Sequence, residues 1–150
     1  MMAANGSSPL KGLSDHVGCK GDAAREVRPK HIGNPLKLIE NALTDRGSKY
    51  AVAGGAVGSA DEAKAFVKTL CRRKKFAKAT HNTWAVLLPD GPLKNDDGES
   101  GAGMVILRML EREGLEGHII VVTRWFGGTK LGGDRFRRVQ DAVRVYLDEM

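Results

Sequence analysis

The chain has 150 residues, which is enough for one ordinary domain and too few for a second large one. Its formal net charge of +6 and its pI near 9.5 favour acidic partners such as nucleic acid. The two cysteines, Cys19 and Cys71, form no CxxC pair, and no apolar run approaches the roughly 18 residues of a membrane-spanning helix, so we expect a soluble, cytoplasmic protein with no structural disulfide and no membrane contact.

Residues 1–34 are predicted to be a disordered basic tail. They combine Gly, Ser, Pro and Asn with scattered charge, and they show no sustained apolar period. Acidic residues at Asp15, Asp22 and Glu26 interrupt the stretch, which is unlike a mitochondrial presequence. We therefore place the folded domain at residues 35–150.

The folded domain is predicted to open with a β-hairpin. Apolar and polar residues alternate from Leu36, residues 44–47 have turn chemistry, and residues 48–57 can extend as a second strand. The pair Gly54-Gly55 weakens the second strand by propensity. We expect a bulge there, or a close crossing by a neighbouring backbone.

A helix with a basic end follows the hairpin. Ser59 and Glu62 fit a capping box, in which the hydroxyl and the carboxylate satisfy free amides at the helix start. Apolar residues then recur at helical spacing as far as Cys71, and a run of basic residues follows. A strand is predicted at residues 83–88, and the turn residues 89–92 end it.

The second half of the domain is predicted to be helix, central strand and helix. Residues 101–110 are apolar almost all round, which indicates a buried helix that Gly114 ends. Residues 118–122 suit a central strand, and a last amphipathic helix begins at Asp134. The order ββαβαβα predicts an α+β fold, a two-layer α/β sandwich in which helices cover one face of a four-stranded, mainly antiparallel sheet.

Two glycine pairs follow the central strand, Gly127-Gly128 and Gly132-Gly133. A phosphate-binding Walker loop needs its lysine to be followed by Ser or Thr, whereas Lys130 follows Thr129 and precedes a leucine. The dinucleotide pattern GxGxxG also fails, and Asp134 would occupy the helix start that an anion needs. We favour a turn required by packing, with Asp134 as the helix cap.

An acidic motif and an arginine form a second candidate site. Asp96, Asp97 and Glu99 could bind a hard cation, and Arg124 could hold a phosphate. The structural alternative, which we favour, is that these acids precede a helix capped by Ser100 and that Arg124 pairs with one of them.

A cysteine and a histidine are the third candidate. Cys71 and His81 could act as nucleophile and base, but Cys71 lies on the apolar stripe of the first helix, which favours a buried, unreactive thiol. The four histidines show no metal-binding spacing. We predict no catalytic residue, no metal and no cofactor.

Clustered cations form the candidate surface for nucleic acid or a partner. Because such cations neutralise phosphates, the binding residues are predicted to be Arg72, Arg73, Lys74, Lys75, Lys78 and Lys130. Phe76, His81 and Trp84 could stack on unpaired bases if exposed, although Trp84 is expected to face the core. A solvated helix end is an equal alternative.

Several motifs, in one order along the chain, resemble those of the IMPACT family, whose bacterial members are called YigZ. They are TDR at residues 44–46 followed by Ser48, KATHNTWA at 78–85, DDGES at 96–100, VVTRWFGG at 121–128 and LGGDRF at 131–136. The likeness covers roughly residues 35–150, and the family commonly has proline where this chain has Gly133. The resemblance implies the fold shared by the second domain of a small-subunit ribosomal protein and domain IV of elongation factor G.

The resemblance also implies regulation of translation. Eukaryotic members restrain a stress-activated kinase of the general control pathway, actin contacts are attributed to the family, and an additional amino-terminal domain is usual where this chain has its short tail. The motif residues that form its candidate site are Asp96, Asp97, Gly98, Glu99, Arg124, Trp125, Phe126, Gly127, Gly128, Gly132, Asp134 and Arg135. We predict a monomeric, non-catalytic binding domain whose partner is RNA, the ribosome or a protein of translation control. An enzyme or a receptor for a phosphate-containing ligand is the alternative.

Overall fold

The structure, a computed structural model, describes residues 36–150. Its strands are β1 (Lys37–Asp45), β2 (Ser48–Ala56), β3 (His81–Leu88), β4 (Gly91–Asn95) and β5 (His118–Trp125). Its helices are α1 (Ala60–Leu70), α2 (Lys74–Ala77), α3 (Ala102–Glu113) and α4 (Asp134–Asp148). The strands form one sheet in the order β1-β2-β5-β3-β4, and every neighbouring pair is antiparallel. The tail predicted at residues 1–34 lies outside the described residues.

The predicted α+β class, with helices packed on an antiparallel sheet, is confirmed. The long helices α3 and α4 lie against one face, where Ile106 and Val143 pack with Val52 and Ile120 of the central strands. The sheet has five strands rather than the predicted four. Residues 91–95 pair with β3 as a short edge strand, a position at which a proline is tolerated.

The opposite face of the sheet carries the two shorter helices. Ala53 and Val121 pack there with Val67 of α1 and Phe76 of α2. Successive side chains of a strand point to opposite faces, so α1 and α2 cover the face that α3 and α4 leave. The prediction of helices on one face therefore describes α3 and α4 but not α1. In the part of the chain that the structure describes, no helix is long and apolar enough to cross a membrane.

The predicted β1–β2 hairpin is present and turns through two residues, Arg46 and Gly47. Both have positive φ, 48° and 89°, as the common two-residue hairpin turn requires. The Arg46 side chain donates to Asp45 at 3.0 Å and to Asp134 at 2.7 Å. The hairpin turn is thereby joined to the first residue of α4.

The glycine pair in β2 serves aromatic packing. A Cβ on Gly54 would lie 2.5 Å from the ring of Tyr146 in α4, and one on Gly55 would lie 2.8 Å from the ring of Phe66 in α1. The pairing of β2 with β5 continues without a shift through both glycines, and the irregularity lies in β1, between residues 39 and 43. Of the two expected alternatives the bulge is wrong, and the close approach is present, made by the two aromatic rings and, at Gly54, by the backbone oxygen of Ile119, which would lie 2.9 Å from a Cβ there.

Cys71 lies at the carboxyl end of α1 and is buried. Its sulfur is disulfide-bonded. This corrects the expectation of an unreactive free thiol with no structural disulfide. Close approach of two cysteines in the fold decides whether they pair, and a missing CxxC motif does not exclude it.

His118 and Tyr146 form a half-buried polar pair between β5 and α4. The His118 Nε2 and the Tyr146 hydroxyl oxygen lie 2.8 Å apart. Burial lowers the pKa of His118 below its ordinary value of 6.5, and burial raises the pKa of Tyr146 to about 12. Burial therefore favours the neutral form of His118 in the folded protein.

We expect the free energy of unfolding to fall as the pH decreases from about 8 to about 5. The unfolded chain takes up a proton at His118 near pH 6.5, whereas the folded chain resists protonation until its lower pKa is reached. The stabilisation from neutral His118 is thus fully present above the pKa that His118 has in the unfolded chain. It is lost as the pH falls through the lower pKa of His118 in the folded chain. Urea unfolding over this range should show a shallower pH dependence for His118→Gln than for wild type, and parallel curves would contradict the assignment.

Candidate functional site

The sequence motifs meet at one end of the sheet. β5 ends there at Trp125, which pairs with Lys49 near the start of β2, and Arg124 pairs with His81 at the start of β3. The hairpin turn, the loop at residues 126–133 and the segment at residues 96–101 surround this end.

A buried ion pair lies at the centre of the site. The Arg124 Nη1 donates to Glu99 Oε2 at 2.6 Å, and the two side chains are only 6% and 4% exposed. Ser48 Oγ lies 3.4 and 3.3 Å from the other two guanidinium nitrogens, and it also accepts from the backbone N of Gly127 at 3.2 Å. The structural alternative predicted this pairing of Arg124 with an acid, and the ion pair ties β5 to the hairpin and to the start of α3.

The two aspartates of the acidic motif bond to backbone amides. Asp96 accepts from the N of Gly101 at 3.0 Å and from the N of Gly103 at 2.7 Å, so it caps α3 from the preceding turn. Asp97 accepts from the N of Asn82 at 2.7 Å. The prediction that Ser100 caps α3 is wrong, because Asp96 reaches the free amides of the first turn.

His81 contacts the same acidic turn. Its Nδ1 lies 2.9 Å from the carbonyl oxygen of Asp97, and its ring would meet a Cβ on Gly98 at 3.2 Å. Asp97 and Gly98 both have positive φ, at 47° and 88°. Since Cys71 is disulfide-bonded, it and His81 cannot work as a nucleophile and its base. Within residues 36–150, no group of three or more His, Cys, Asp or Glu side chains could hold a metal ion.

The glycine loop, residues 126–133, packs against the hairpin turn. A Cβ on Gly127 would overlap the carbonyl group of Gly47 and lie 2.5 Å from the N of Ser48, whereas Gly128 has open space and a φ of +97°. Gly132 also has positive φ, at 59°. The loop is therefore shaped by contact with the hairpin, as a turn required by packing predicts.

Asp134 is the first residue of α4 and does not cap it. The N-cap is Gly133, with no side-chain hydrogen bond to the helix. Arg46 binds the Asp134 carboxylate and holds its pKa below the ordinary value. The prediction that Asp134 caps α4 is thus wrong, because its carboxylate accepts a hydrogen bond from Arg46 of the hairpin turn. Arg135, the next residue, stacks on Phe136 at 4.6 Å from the ring centroid.

The predicted basic surface is exposed, and among residues 36–150 the acid Glu40 lies against it. Arg72, Arg73, Lys74, Lys75, Lys78 and Lys130 are all exposed. Glu40 of β1 lies 3.1 Å from Lys75 Nζ and 3.8 Å from Arg73 Nη1. Sequence reasoning missed Glu40, because only the strand pairing brings β1 to the end of α1. We use the name basic tract for residues 72–78.

Two of the aromatic residues proposed to stack on bases are buried. Phe76 is 1% exposed and Trp84 is 3% exposed, so neither ring can meet a base, and the expectation that Trp84 faces the core is confirmed. Trp125 lies beside the basic tract, where its Nε1 donates to the carbonyl oxygen of Lys75 at 3.1 Å. The aromatic ring that is exposed is Phe126, at the loop edge.

The fold and the site together define an α+β domain in which motif residues brace one end of an antiparallel sheet beside an exposed basic tract. The chain belongs to the IMPACT family: the family model described as the Impact N-terminal domain matches residues 46–147. Rattus norvegicus Protein IMPACT is 31% identical over 95% of this chain and 44% of its own length. Homo sapiens Protein IMPACT is 33% identical over 99% and 47%, and the Schizosaccharomyces pombe Protein IMPACT homolog is 35% identical over 68% and 38%. The chain thus spans less than half the length of these relatives.

Two solved structures match this chain. One, described as the crystal structure of an hypothetical protein, has a TM-score of 0.63 and 24% identity over 76% of this chain and 61% of that chain. The other is described as a two-domain translational regulator, Yih1, with a TM-score of 0.46 and 24% identity over 94% of this chain and 53% of that chain. The first shows that the fold is shared.

Proposed function

We propose that this domain is a non-catalytic binding domain in the regulation of translation, and that it binds RNA of the translation machinery through the basic tract. The observation that carries the proposal is the exposed basic tract beside a sheet end whose own charged groups are paired inside the protein. Membership of a family that includes proteins named IMPACT supports a regulatory role.

The contacts of the motif residues support binding rather than catalysis. Glu99 and Arg124 are buried against each other, Asp96 caps α3, and Asp97 accepts from a strand amide. A phosphate-binding arginine or a catalytic acid must reach its substrate, and Arg124 and Glu99 are each 5% exposed. The alternative function, an enzyme or a receptor for a phosphate-containing ligand, gains no support from these contacts.

The charge of the basic tract suits phosphates. Its five cations are exposed, and Glu40, which lies near Lys75 and Arg73, is itself exposed. Surface pairs of this kind contribute little and exchange readily for other anions. Cations that neutralise phosphates release counterions from the nucleic acid, which makes binding favourable and dependent on salt.

We expect the variant Arg72→Gln, Arg73→Gln, Lys74→Gln, Lys75→Gln to bind single-stranded RNA more weakly and with a flatter salt dependence. Removing one cation that meets a phosphate should lower the slope of log affinity against log salt by roughly 0.7, so removing four should lower it by up to ~3. Fluorescence anisotropy with a labelled RNA at several salt concentrations measures both quantities.

The control is Arg108→Gln with Arg112→Gln, which removes exposed cations from α3 on the other face of the sheet. This variant should keep the affinity and slope of wild type. The fourfold Gln variant of the basic tract is called the tract variant. If it folds and keeps the RNA affinity and salt slope of wild type, the proposal is contradicted. If wild type binds no RNA even at low salt, a protein partner becomes the better hypothesis. The family resemblance suggests a stress-activated kinase or actin as that partner.

A further inference from the structure

Phe126 presents an aromatic ring to solvent at the end of β5. The residue is 46% exposed, although it follows directly on a buried central strand. Its backbone N donates to Thr80 Oγ1 at 2.9 Å, which joins it to the segment between the basic tract and β3. An exposed phenylalanine fixed in this way is available to a ligand without any rearrangement of the chain.

The ring is supported from one side by a fixed cation. The guanidinium carbon of Arg124 lies 5.6 Å from the Phe126 ring centroid. Arg124 is itself held by Glu99 and Ser48, so the support does not move. A side chain that is already ordered loses little entropy when it binds, which favours stacking on the free side of the ring.

Exposed cations lie at the same end of the sheet as the ring. Lys75 Nζ lies 5.3 Å from the ring centroid of Trp125, the residue before Phe126, and Lys49 pairs with Trp125 across the sheet. Lys130 is exposed in the same loop as Phe126. Proteins bind single-stranded nucleic acid with exposed aromatic rings that stack on bases and with cations that follow the backbone, and this end of the sheet presents both.

We infer that Phe126 is a base-stacking site for single-stranded RNA, continuous with the basic tract. The inference rests on the proposed function and limits the RNA partner to single-stranded RNA. In a duplex the faces of each base are covered by the neighbouring bases of the stack, so they cannot stack on Phe126. The bases are bound through their faces, so no sequence preference from hydrogen bonding is expected.

The test uses a labelled oligoadenylate of about 12 nucleotides, within the range of known site sizes, and a duplex of equal length. Phe126→Ala should weaken binding of the single strand by roughly 5- to 100-fold, the usual effect of removing the ring under one stacked base, with an unchanged salt slope. Phe126→Trp should bind as tightly as wild type, and Phe126→Leu should resemble the alanine variant because it lacks a flat ring. Met104→Ala, which removes a 38% exposed apolar side chain from α3, is the control and should bind as wild type does.

The outcomes separate this inference from the proposed function. If Phe126→Ala or Phe126→Leu binds as wild type does while the tract variant is impaired, the stacking site is refuted and the proposed function stands. Equal affinity for duplex and single strand also refutes the stacking site. If wild type binds neither RNA at low salt, both fall together.

Discussion

Arg124→Ala should lower the free energy of unfolding by about 3–5 kcal/mol, the usual effect of removing one partner from a buried ion pair. The reason is Glu99, whose carboxylate would be left in a site where its side chain is 4% exposed. The variant also loses the donors to Ser48, which hold the hairpin to β5. Urea unfolding followed by tryptophan fluorescence measures the change.

The matched control removes both charges together. Arg124→Met with Glu99→Leu leaves no unpaired ion, and apolar replacement of a buried pair is often neutral, so most of the stability should return. If Arg124→Ala alone loses less than ~1 kcal/mol, then Glu99 is readily hydrated and the ion pair does not brace the end of the sheet.

Gly127→Ala should destabilise the fold by about 3 kcal/mol or more, at the upper end of what overpacking produces. The new Cβ would overlap the backbone carbonyl of Gly47. Backbone atoms cannot rotate away as a flexible side chain can, so the hairpin turn and the glycine loop would have to separate. Soluble yield and the denaturant midpoint report the damage.

Gly133→Ala is the control for the same loop. No atom lies within 4 Å of a Cβ placed there, and the φ of −67° suits any residue. The substitution should change stability by less than ~1 kcal/mol and is expected to stabilise, because alanine restricts the unfolded chain more than glycine does. Equal effects of the two substitutions would show that contact with the hairpin does not shape the loop.

Much of the fold follows from local signals in the sequence. The continuous apolar run at residues 119–122 identified the central strand, Ser59 and Glu62 placed the start of α1, and Gly114 placed the end of α3. Each signal acts within a few residues of its effect. The short edge strand β4 was missed because its residues also have turn chemistry and only the pairing with β3 makes them a strand.

The candidate site was harder to predict, because its contacts join distant segments. The sequence indicated that Arg124 pairs with an acid, but three acids lie close together in the motif. Only the structure shows that Glu99 is the partner of Arg124 and that Asp96 caps α3. The two glycines of the first pair look alike in the sequence. A Cβ on Gly127 would overlap Gly47, whereas a Cβ on Gly128 would meet no atom within 4 Å, and the position of the hairpin sets this difference.

Exposure of the aromatic residues depended in the same way on the packing of whole elements. Phe76 lies within the basic tract, where its position in the sequence suggested a stacking role. Its ring is instead buried in the core between α1, α2 and the sheet. Phe126 follows a strand that is buried on both faces and nevertheless points into solvent. Strand periodicity ends where the loop begins, so no pattern could assign the direction of its side chain.

Sedimentation with purified ribosomes tests the proposed role in translation most directly. Wild type, the tract variant and the Arg108→Gln, Arg112→Gln control are each centrifuged through sucrose with ribosomes at low and high salt. Wild type and control should travel with the ribosomes at low salt and dissociate as salt rises, whereas the tract variant should stay at the top of the gradient. Wild type remaining at the top at low salt, or a tract variant that travels with the ribosomes as wild type does, would contradict the proposal.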